Sequence, residues 1–314
     1  VEAIESLAQH IGIDIPYEKG THQPSTTQQA KNSSQSESLM ESLQQCSDYY
    51  LTQLKQSPQA IDYLRQRGVS GATAKTFGIG FAPAGWNNLS GDEQNLIDAG
   101  MLIKNDSGKV YDRFRHRIMF PIRDLRGRVI AFGGRILGEG EPKYLNSPDT
   151  PLFDKGRTLY NWDKCSPASR QTGRVIVVEG YMDVIAIAQA GFADAVAPLG
   201  TALTEQQIQM LWRMTEKPLL CFDGDTAGQK AAMRAALRAL PLLKPGHSLQ
   251  FVTLPQGQDP DDLVKASGVT ALTTLLETSE PLVERLWRAE VSAGPLNTPE
   301  DRAGLQQRLG AHMA

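Results

Sequence analysis

The sequence predicts an α/β protein built on a mostly parallel β-sheet with flanking helices. Strand-like apolar runs alternate with helix-like segments between residues 172 and 270, and the first run, Val175–Val178, consists only of β-branched residues. This alternation is typical of parallel strands joined by right-handed crossovers. A basic mixed α+β segment precedes this part of the chain, and a small helical segment follows it.

By composition, the 314 residues divide into five segments. Residues 1–18 carry an apolar stripe with helical spacing, which we interpret as the helical remnant of an upstream module. Residues 19–38 offer almost nothing that could be buried, so we expect a flexible linker there. The remaining segments are a basic N-terminal α+β subdomain at 39–171, an acid-rich subdomain with the parallel sheet at 172–270, and a C-terminal helical subdomain at 271–314.

The basic subdomain should begin with helices and continue with a β-hairpin. A helical apolar pattern runs from Leu39 through Leu54. The predicted strands of the hairpin are Ile118–Ile122 and Val129–Phe132, with a turn at 124–127. Residues 104–135 contain nine Lys or Arg and three Asp. The positive charge is local, because the net charge of the whole chain is −3.

Composition excludes several classes of protein. The three cysteines, Cys46, Cys165 and Cys221, are far apart in the sequence, so there is no zinc site of the CxxC type. Scattered thiols fit a reducing compartment. No apolar run approaches the ~18 residues of a membrane span, and no signal peptide precedes the first predicted helix. We expect a cytoplasmic protein with no membrane partner.

The acid-rich subdomain should contain four parallel strands with helices between them. Thr204 and Gln207 have the spacing of a capping box, which predicts a helix start after the second strand. Thr298 and Pro299 are typical of the start of a C-terminal helix. The predicted strands are Val175–Val178, Ala193–Ala197, Pro218–Phe222 and Leu249–Leu254, and the helices after the first and third are Tyr181–Ala190 and Ala227–Leu240.

Three groups of acidic residues follow these strands at the point where each strand ends. They are Glu179 after the first strand, Asp223 and Asp225 after the third, and Asp259 and Asp261 after the fourth. Because ligands bind at the carboxyl ends of parallel strands, we expect the five carboxylates to converge there. Unpaired, they would repel one another, whereas Mg²⁺ takes oxygen ligands. The nearby Gly180 and Gly224 should let the backbone approach an ion or a phosphate closely.

Each acidic signal has an ordinary structural explanation when it is taken alone. An Asp-Gly pair is commonly a turn, Glu179 alone could cap a helix, and Asp-Pro-Asp alone could begin one. Their coincidence at successive strand ends favours a metal site. We interpret Asp183 and Asp262 as helix N-terminal acids, which the helix dipole favours.

The basic segment has a pattern that would suit a polyanion. Arg113, Arg115 and Arg117 have period-two spacing, so on an extended chain they would share one face and could contact phosphates. Candidate stacking aromatics are Phe114, Tyr144 and Trp162. The alternatives are a solvated basic face for the arginines and a core position for Phe114 and Phe132.

The acidic motifs resemble the Toprim signature, which bacterial primases, topoisomerases and some nucleases share. The matching stretches are Val-Val-Glu-Gly-Tyr-Met-Asp-Val at 177–184 and Phe-Asp-Gly-Asp-Thr-Ala-Gly at 222–228. The preceding part of the chain is similar to the DnaG-type primase core. It matches in the stretches Tyr111–Asp124, Gly127–Arg135, Pro142–Pro148 and Phe153–Gly156.

The resemblance implies a DNA-dependent RNA polymerase (primase) core that makes short RNA primers on single-stranded DNA by metal-dependent nucleotidyl transfer. Implied catalytic residues are Glu179, Asp223 and Asp225. Together with Asp259 and Asp261, they would bind two or more Mg²⁺ or Mn²⁺ ions. The implied nucleotide and template contacts are Arg113, Arg115, Lys143, Tyr144, Asn146 and Lys155. The implied partners are the DNA template, NTPs and the RNA primer.

The family's N-terminal zinc module and C-terminal helicase-binding module have no counterpart in the sequence. We therefore expect a central polymerase domain, with zinc and the replicative helicase bound only by those modules. One rival hypothesis is a topoisomerase or nuclease, but the last fifty residues contain no Tyr that could act as a nucleophile. Another is a non-catalytic nucleic-acid-binding module, which would not need five acids at strand ends. Whether Glu179 is a metal ligand or the general base stays open.

Overall fold

A computed structural model of the protein describes residues 26–200 and 202–312. The predicted helix at 1–18 and the first part of the predicted linker lie outside the described residues. Helix α1 (Thr26–Gln56) begins inside that linker, so the prediction of a flexible linker is wrong for residues 26–38. Gln, Ala, Lys and Glu in this segment have good helix propensity. The segment has too few apolar residues for a buried face, but a helix can form without one.

The basic subdomain combines helices with an antiparallel sheet, and both strands of the predicted hairpin are confirmed. After α1 its elements are α2 (Pro58–Gln66), α3 (Gly71–Phe77), β1 (Gly80–Ala82), α4 (Glu93–Asp98), β2 (Leu102–Lys104), β3 (Val110–Asp112), β4 (Arg117–Arg123), β5 (Val129–Ile136) and β6 (Tyr144–Asn146). The sheet has the order β1-β4-β5-β6, and β2 pairs with β3 in a separate hairpin.

Helix α1 packs on this sheet through its buried apolar face. Leu39 and Leu43 are fully buried, and the ring of Tyr50 meets that of Phe132 edge-on with the centroids 5.5 Å apart. A Cβ atom at Gly80 would lie 2.5 Å from the Cβ of Tyr50. Strand β1 therefore needs glycine at this position for the helix to lie against it.

The second part of the described chain contains the parallel sheet, as predicted. Its elements are α5 (Trp162–Thr172), β7 (Ile176–Val177), α6 (Tyr181–Gln189), β8 (Ala195–Val196), α7 (Glu205–Trp212), β9 (Leu219–Phe222), α8 (Thr226–Ala239), β10 (Gln250–Thr253), α9 (Pro260–Glu277), β11 (Glu280–Pro281), α10 (Leu282–Ser292) and α11 (Pro299–Ala311). The strand order is β11-β10-β9-β7-β8. Only the edge strand β11 is antiparallel to its neighbour.

The helix starts follow the predicted capping chemistry. Thr204 accepts a hydrogen bond from the Gln207 N–H (3.1 Å), and Gln207 Oε1 accepts one from the Thr204 N–H (3.0 Å), which completes the predicted capping box. Thr298 caps α11 in the same manner. The predicted boundary between residues 270 and 271 falls inside α9, just after Gly268, whose φ of 78° interrupts the helix.

None of the helices in the described part of the chain is long and apolar enough to span a membrane.

Candidate active site

The candidate site is built at the carboxyl ends of two neighbouring parallel strands. Strands β7 and β9 pair with Val177 opposite Leu220, so the residues that follow the two strands lie side by side. The Asp223 N–H donates to Glu179 Oε1 over 2.9 Å. The structure thus brings together the first two predicted groups of acids, and the Glu179 carboxylate is fixed by the backbone of the Asp-Gly-Asp turn.

Two glycines make this close approach possible. A Cβ atom at Gly228 would lie 2.2 Å from the Asp223 carbonyl oxygen and 2.8 Å from Glu179 Oε1. A Cβ atom at Gly224 would lie 2.0 Å from the Pro255 carbonyl oxygen. The missing side chain of Gly224 makes room for the backbone of the loop after β10. The predicted close approach of this backbone to an ion or a phosphate stays a prediction.

Two of the remaining predicted acids, Asp225 and Asp259, act as helix caps. Asp225 Oδ1 accepts from the Gly228 N–H at the start of α8 over 2.8 Å. Asp259 Oδ1 accepts from the Asp262 N–H at the start of α9 over 2.7 Å. Each cap uses one carboxylate oxygen, so capping and metal binding are compatible in these two residues.

The carboxylates are close enough to raise one another's pKa. Burial raises the pKa of Asp223 to about 7, and the neighbouring charges of Glu179 and Asp259 act in the same direction. Burial likewise raises the pKa of Glu179, which the Asp223 N–H and the cation Arg234 oppose. The pKa of Asp259 is raised for the same main reason. Like charges held together at this cost are typical of functional sites.

Sequence reasoning missed one member of this group. Asp183, interpreted only as a helix acid, accepts a hydrogen bond from the Gly180 N–H over 2.9 Å. Burial, together with the neighbouring charges of Asp259, Asp223 and Glu179, raises its pKa to about 8. The sequence did contain a signal for this: Asp183 lies four residues after Glu179, at the start of the helix α6 that follows the first strand.

Asp261 has a different environment from the other predicted ligands. Its Oδ2 lies 2.5 Å from Lys265 Nζ in an ion pair. By contrast, Asp262 is among the carboxylates that raise the pKa of Asp223. The assignment of Asp261 as a metal ligand stays a prediction, and its ion pair does not favour it.

The arrangement fits a divalent cation that is shared with a substrate. Asp223 Oδ1 is buried and has no hydrogen-bond partner, and an unpaired buried polar atom costs free energy that a cation would offset. Within residues 26–200 and 202–312, no three Asp, Glu, His or Cys side chains are arranged to bind an ion by themselves. Mg²⁺ usually needs only one or two carboxylates when substrate phosphates supply the other ligands.

A cavity of about 250 Å³ opens beside Glu179. Its lining residues include Glu179, Pro198, Gly200, Leu203, Phe222 and Arg234. Asn146 connects strand β6 to this place, because its Nδ2 donates to the Leu199 carbonyl over 2.8 Å. Its Oδ1 accepts from the Tyr181 hydroxyl over 2.7 Å. Both ends of this predicted nucleotide-binding amide thus contact protein next to the cavity.

The other predicted nucleotide contacts stay predictions. Tyr144 accepts a hydrogen bond from Arg135 Nη1 over 2.6 Å. The Lys143 side chain is exposed. Lys155 lies in a 3₁₀ turn whose backbone is fixed by the side chains of Asp149 and Gln207.

The predicted common face of the three arginines is wrong. His116 has a φ of 52°, so the chain bends before β4, and period-two spacing no longer puts alternate side chains on one side. Arg113 Nε donates to the Asn146 carbonyl over 3.2 Å. Arg117 is buried and donates to the Gly134 carbonyl, also over 3.2 Å. Arg113 and Arg115 are both partly exposed, and Arg115 packs on the indole of Trp86.

The aromatic candidates nearby are mostly core residues. Phe114 and Phe132 are each 1% exposed, which confirms the core alternative for both. Trp162 is also buried, which removes it as an exposed stacking candidate.

Comparisons with known proteins add family information to this geometry. Residues 49–166 match the family model of the N-terminal domain of the DNA primase catalytic core, and residues 173–253 match that of the Toprim domain. The chain is 45% identical to a DNA primase of Pseudomonas aeruginosa, over 97% of this chain and 47% of the relative. It is 44% identical to the DNA primase of Escherichia coli K12, over 97% of this chain and 53% of that protein. The chain therefore spans about half the length of these relatives.

Two solved structures are similar to the described fold. One is a DnaG primase catalytic domain bound to ssDNA, with a TM-score of 0.80 and 46% identity over 88% of this chain and 92% of that one. The other is a DNA primase domain from Pseudomonas aeruginosa, with a TM-score of 0.84 and 46% identity over 88% of this chain and 89% of that one.

Proposed function

The chain belongs to the DnaG-type DNA primase family and has the fold of its catalytic core, and we propose that it joins nucleotides into short RNA primers on single-stranded DNA. The observation that supports this most is the acidic edge of the sheet. Glu179 and Asp223 meet there with a buried carboxylate oxygen that lacks a partner. A site of this kind suits substrate phosphates that arrive with a divalent cation.

In the proposed reaction, a ribose 3′-hydroxyl attacks the α-phosphate of an NTP, and pyrophosphate leaves. Two or more bound Mg²⁺ or Mn²⁺ ions would supply activation of the hydroxyl and neutralise charge on the leaving group. Glu179 and Asp223 would bind the cations, with Asp225 and Asp259 at the rim of the site. The raised pKa of Glu179 also suits a general base, so this residue could act either as ligand or as base.

The basic side chains would bind the nucleic acid and the nucleotide. We assign the triphosphate to Lys143 and Lys155, and the template backbone to Arg115 and Arg113. Asn146 would act by positioning, since its amide fixes the loop after β8 beside the cavity. Tyr144 would contribute a half-buried ring at the edge of the same region.

Partners and location follow from the same proposal. One of the similar structures has single-stranded DNA bound, and we propose the same template for this chain, with NTPs as substrates and the RNA primer as product. We propose a location in the bacterial cytoplasm at the replication fork. The replicative helicase stays a proposed partner of the family's C-terminal module.

The test is incorporation of labelled NTPs on a single-stranded DNA template with Mg²⁺. Asp223→Asn should lower the rate by about 100-fold or more, since charge stabilisation of this kind contributes on the order of 3–4 kcal/mol. The matched control is Asp106→Asn, because Asp106 is exposed in the turn between β2 and β3. Wild-type activity in Asp223→Asn would contradict the proposal. The absence of NTP incorporation by the wild type would contradict it as well.

A further inference from the structure

The turn between α2 and α3 is held in place by two helices of the acid-rich subdomain. Arg67 is the C-cap of α2, Gly68 follows with a φ of 79°, and Ser70 caps the start of α3. The helices that contact this turn are α6, whose N-cap directly follows Glu179, and α9, which Asp259 caps. Both helices therefore begin at the acidic edge and reach the turn further along their length.

Gln189, the last residue of α6, makes three hydrogen bonds to the turn and the start of α3. Its Nε2 donates to the Gly68 carbonyl over 2.8 Å. Its Oε1 accepts from the Ser70 N–H over 2.9 Å and from the Thr73 hydroxyl over 2.6 Å. Because both ends of one planar amide are engaged, the position and the direction of the turn are fixed relative to α6.

Lys265 in α9 makes the second connection to the turn. Its Nζ donates to the Arg67 carbonyl over 3.1 Å and lies 2.5 Å from Asp261 Oδ2. Asp261 is buried in the first turn of α9, two residues after the capping Asp259. A Cβ atom at Gly68 would lie 3.1 Å from Lys265 Cε, so the lysine also packs closely on the turn. Lys265 therefore joins the turn to the helix start that carries two of the predicted acids.

The turn brings a cation to the acidic edge. Burial raises the pKa of Asp259, and the positive charge of Arg67 acts against that rise, so the guanidinium lies within electrostatic range of this carboxylate. Within the described part of the chain, Arg67 Nε is buried without a hydrogen-bond partner. A buried donor of this kind costs free energy until an acceptor arrives, and phosphate oxygens are strong acceptors for guanidinium groups. Substrate phosphates at the acidic edge would supply that acceptor.

The two side chains that hold the turn contribute little to the hydrophobic core. Gln189 and Lys265 are both exposed, and exposed hydrogen bonds and ion pairs add only modestly to the stability of a fold. Their contacts do determine where the turn lies relative to the acidic edge. We propose that Gln189 and Lys265 are positioning residues for nucleotidyl transfer, which hold the α2–α3 turn so that Arg67 keeps its place at the acidic edge. This inference rests on the proposed function, which supplies the reaction.

Steady-state kinetics of NTP incorporation test the positioning role. Gln189→Ala removes all three hydrogen bonds and should lower kcat/KM by about tenfold, since a misplacement of about 1 Å can cost up to about 100-fold. Lys265→Met should also lower kcat/KM, whereas Lys265→Arg keeps a donor for the turn and should retain most of it. The matched control is Gln66→Ala, because Gln66 is an exposed glutamine at the end of α2. Its kcat/KM should equal that of the wild type.

A double-mutant cycle separates positioning from a general loss of structure. Arg67→Ala alone should lower kcat/KM, and adding Gln189→Ala should then change it by less than about twofold, because the side chain that Gln189 positions is gone. Independent structural defects would multiply instead. The inference is overturned if Gln189→Ala has the same effect with and without Arg67, if Arg67→Ala has wild-type activity, or if Gln189→Ala does.

Hydrogen exchange on the same preparations separates the two proposals. The Ser70 N–H, which donates to Gln189, should exchange faster in Gln189→Ala, while amides in β9 keep their wild-type protection and show that the fold is intact. If the wild type incorporates NTPs and Gln189→Ala exchanges faster at Ser70 with an unchanged kcat/KM, the positioning inference fails and the proposed function stands. If the wild type incorporates no NTP, the proposed function itself fails.

Discussion

The acidic edge of the sheet and the arginine-rich bend before β4 differ in what compensates their charges. At the edge, Asp223 and Glu179 are held together by a backbone N–H, and burial raises the pKa of both. At the bend, Arg113 and Arg117 donate to backbone carbonyls of neighbouring strands. The protein itself satisfies most of the arginines, whereas it leaves the carboxylates in need of a cation.

This difference shows how charge clusters should be interpreted. A group of like charges indicates a ligand when the fold holds the charges together and supplies no internal partner. The buried Asp223 Oδ1 without a hydrogen bond meets this condition. Arg117 does not, since the Gly134 carbonyl accepts its hydrogen bond. Arg113 and Arg115 are partly exposed, and each also donates to a backbone carbonyl.

The largest effect expected from the comparison concerns one glycine in each region. In Gly228→Ala, the new Cβ would meet the Asp223 carbonyl oxygen at 2.2 Å, and that oxygen belongs to the backbone and not to a flexible side chain. In Gly134→Ala, the nearest atom is a Phe114 ring carbon at 2.9 Å. We expect Gly228→Ala to lower the free energy of unfolding by about 1–3 kcal/mol or more, and Gly134→Ala to lower it less.

Urea denaturation monitored by circular dichroism measures both glycine variants. Gly71→Ala is the control, because no atom lies within 4 Å of the added Cβ and the residue begins α3. Equal stability of Gly228→Ala and Gly71→Ala would show that the edge is not packed as tightly as described.

The acidic edge could be predicted because topology constrains it. Parallel strands end at the same side of a sheet, so Glu179 and Asp223 had to meet once the strands were recognised. Asp261 could not be placed in this way, since adjacent residues of a helix point in different directions and its partner Lys265 lies one turn further on. Asp183 was overlooked because its capping role was a sufficient explanation of its position.

The bend could not be predicted from residue spacing. A period-two pattern has meaning only on an extended backbone. The spacing of the arginines does not indicate that His116, between two of them, has a positive φ. The contacts of Trp86 could not be predicted from the sequence either. The loop that contains Trp86 and Asn88 is fixed by Asp112, which lies more than twenty residues further along the chain. The fold class and the parallel strands were predicted correctly because their apolar runs carry the information locally.

A smaller effect is expected in the pH dependence of stability. The pKa of Asp223 is raised to about 7 and that of Asp183 to about 8 in the folded protein, against about 3.9 in an unfolded chain. The folded state therefore binds more protons between about pH 4 and 8, and the free energy of unfolding should fall as the pH rises through this window. In the presence of a metal chelator, the Tm of the wild type should decrease from pH 5 to pH 8. The Tm of Asp223→Asn should decrease less steeply over the same range.

Arg115→Ala is the control for this pH dependence, because the substitution lies at the arginine-rich bend and removes none of the carboxylates whose pKa is raised. Its Tm should follow the wild-type slope. A wild-type Tm that is flat over the window, or an Asp223→Asn slope equal to that of the wild type, would show that the carboxylates are not coupled in the folded state.

Cation binding is the most direct test of the acidic edge. Mn²⁺ can be titrated into the protein in the presence of ATP and without template, with free Mn²⁺ followed by electron paramagnetic resonance. A control titration of Mn²⁺ into ATP alone is subtracted. We predict that the wild type binds Mn²⁺ with ATP and that Asp223→Asn binds it at least tenfold more weakly, on the order of one lost carboxylate ligand. Equal Mn²⁺ affinity of the two proteins would contradict the assignment of this edge as the catalytic metal site.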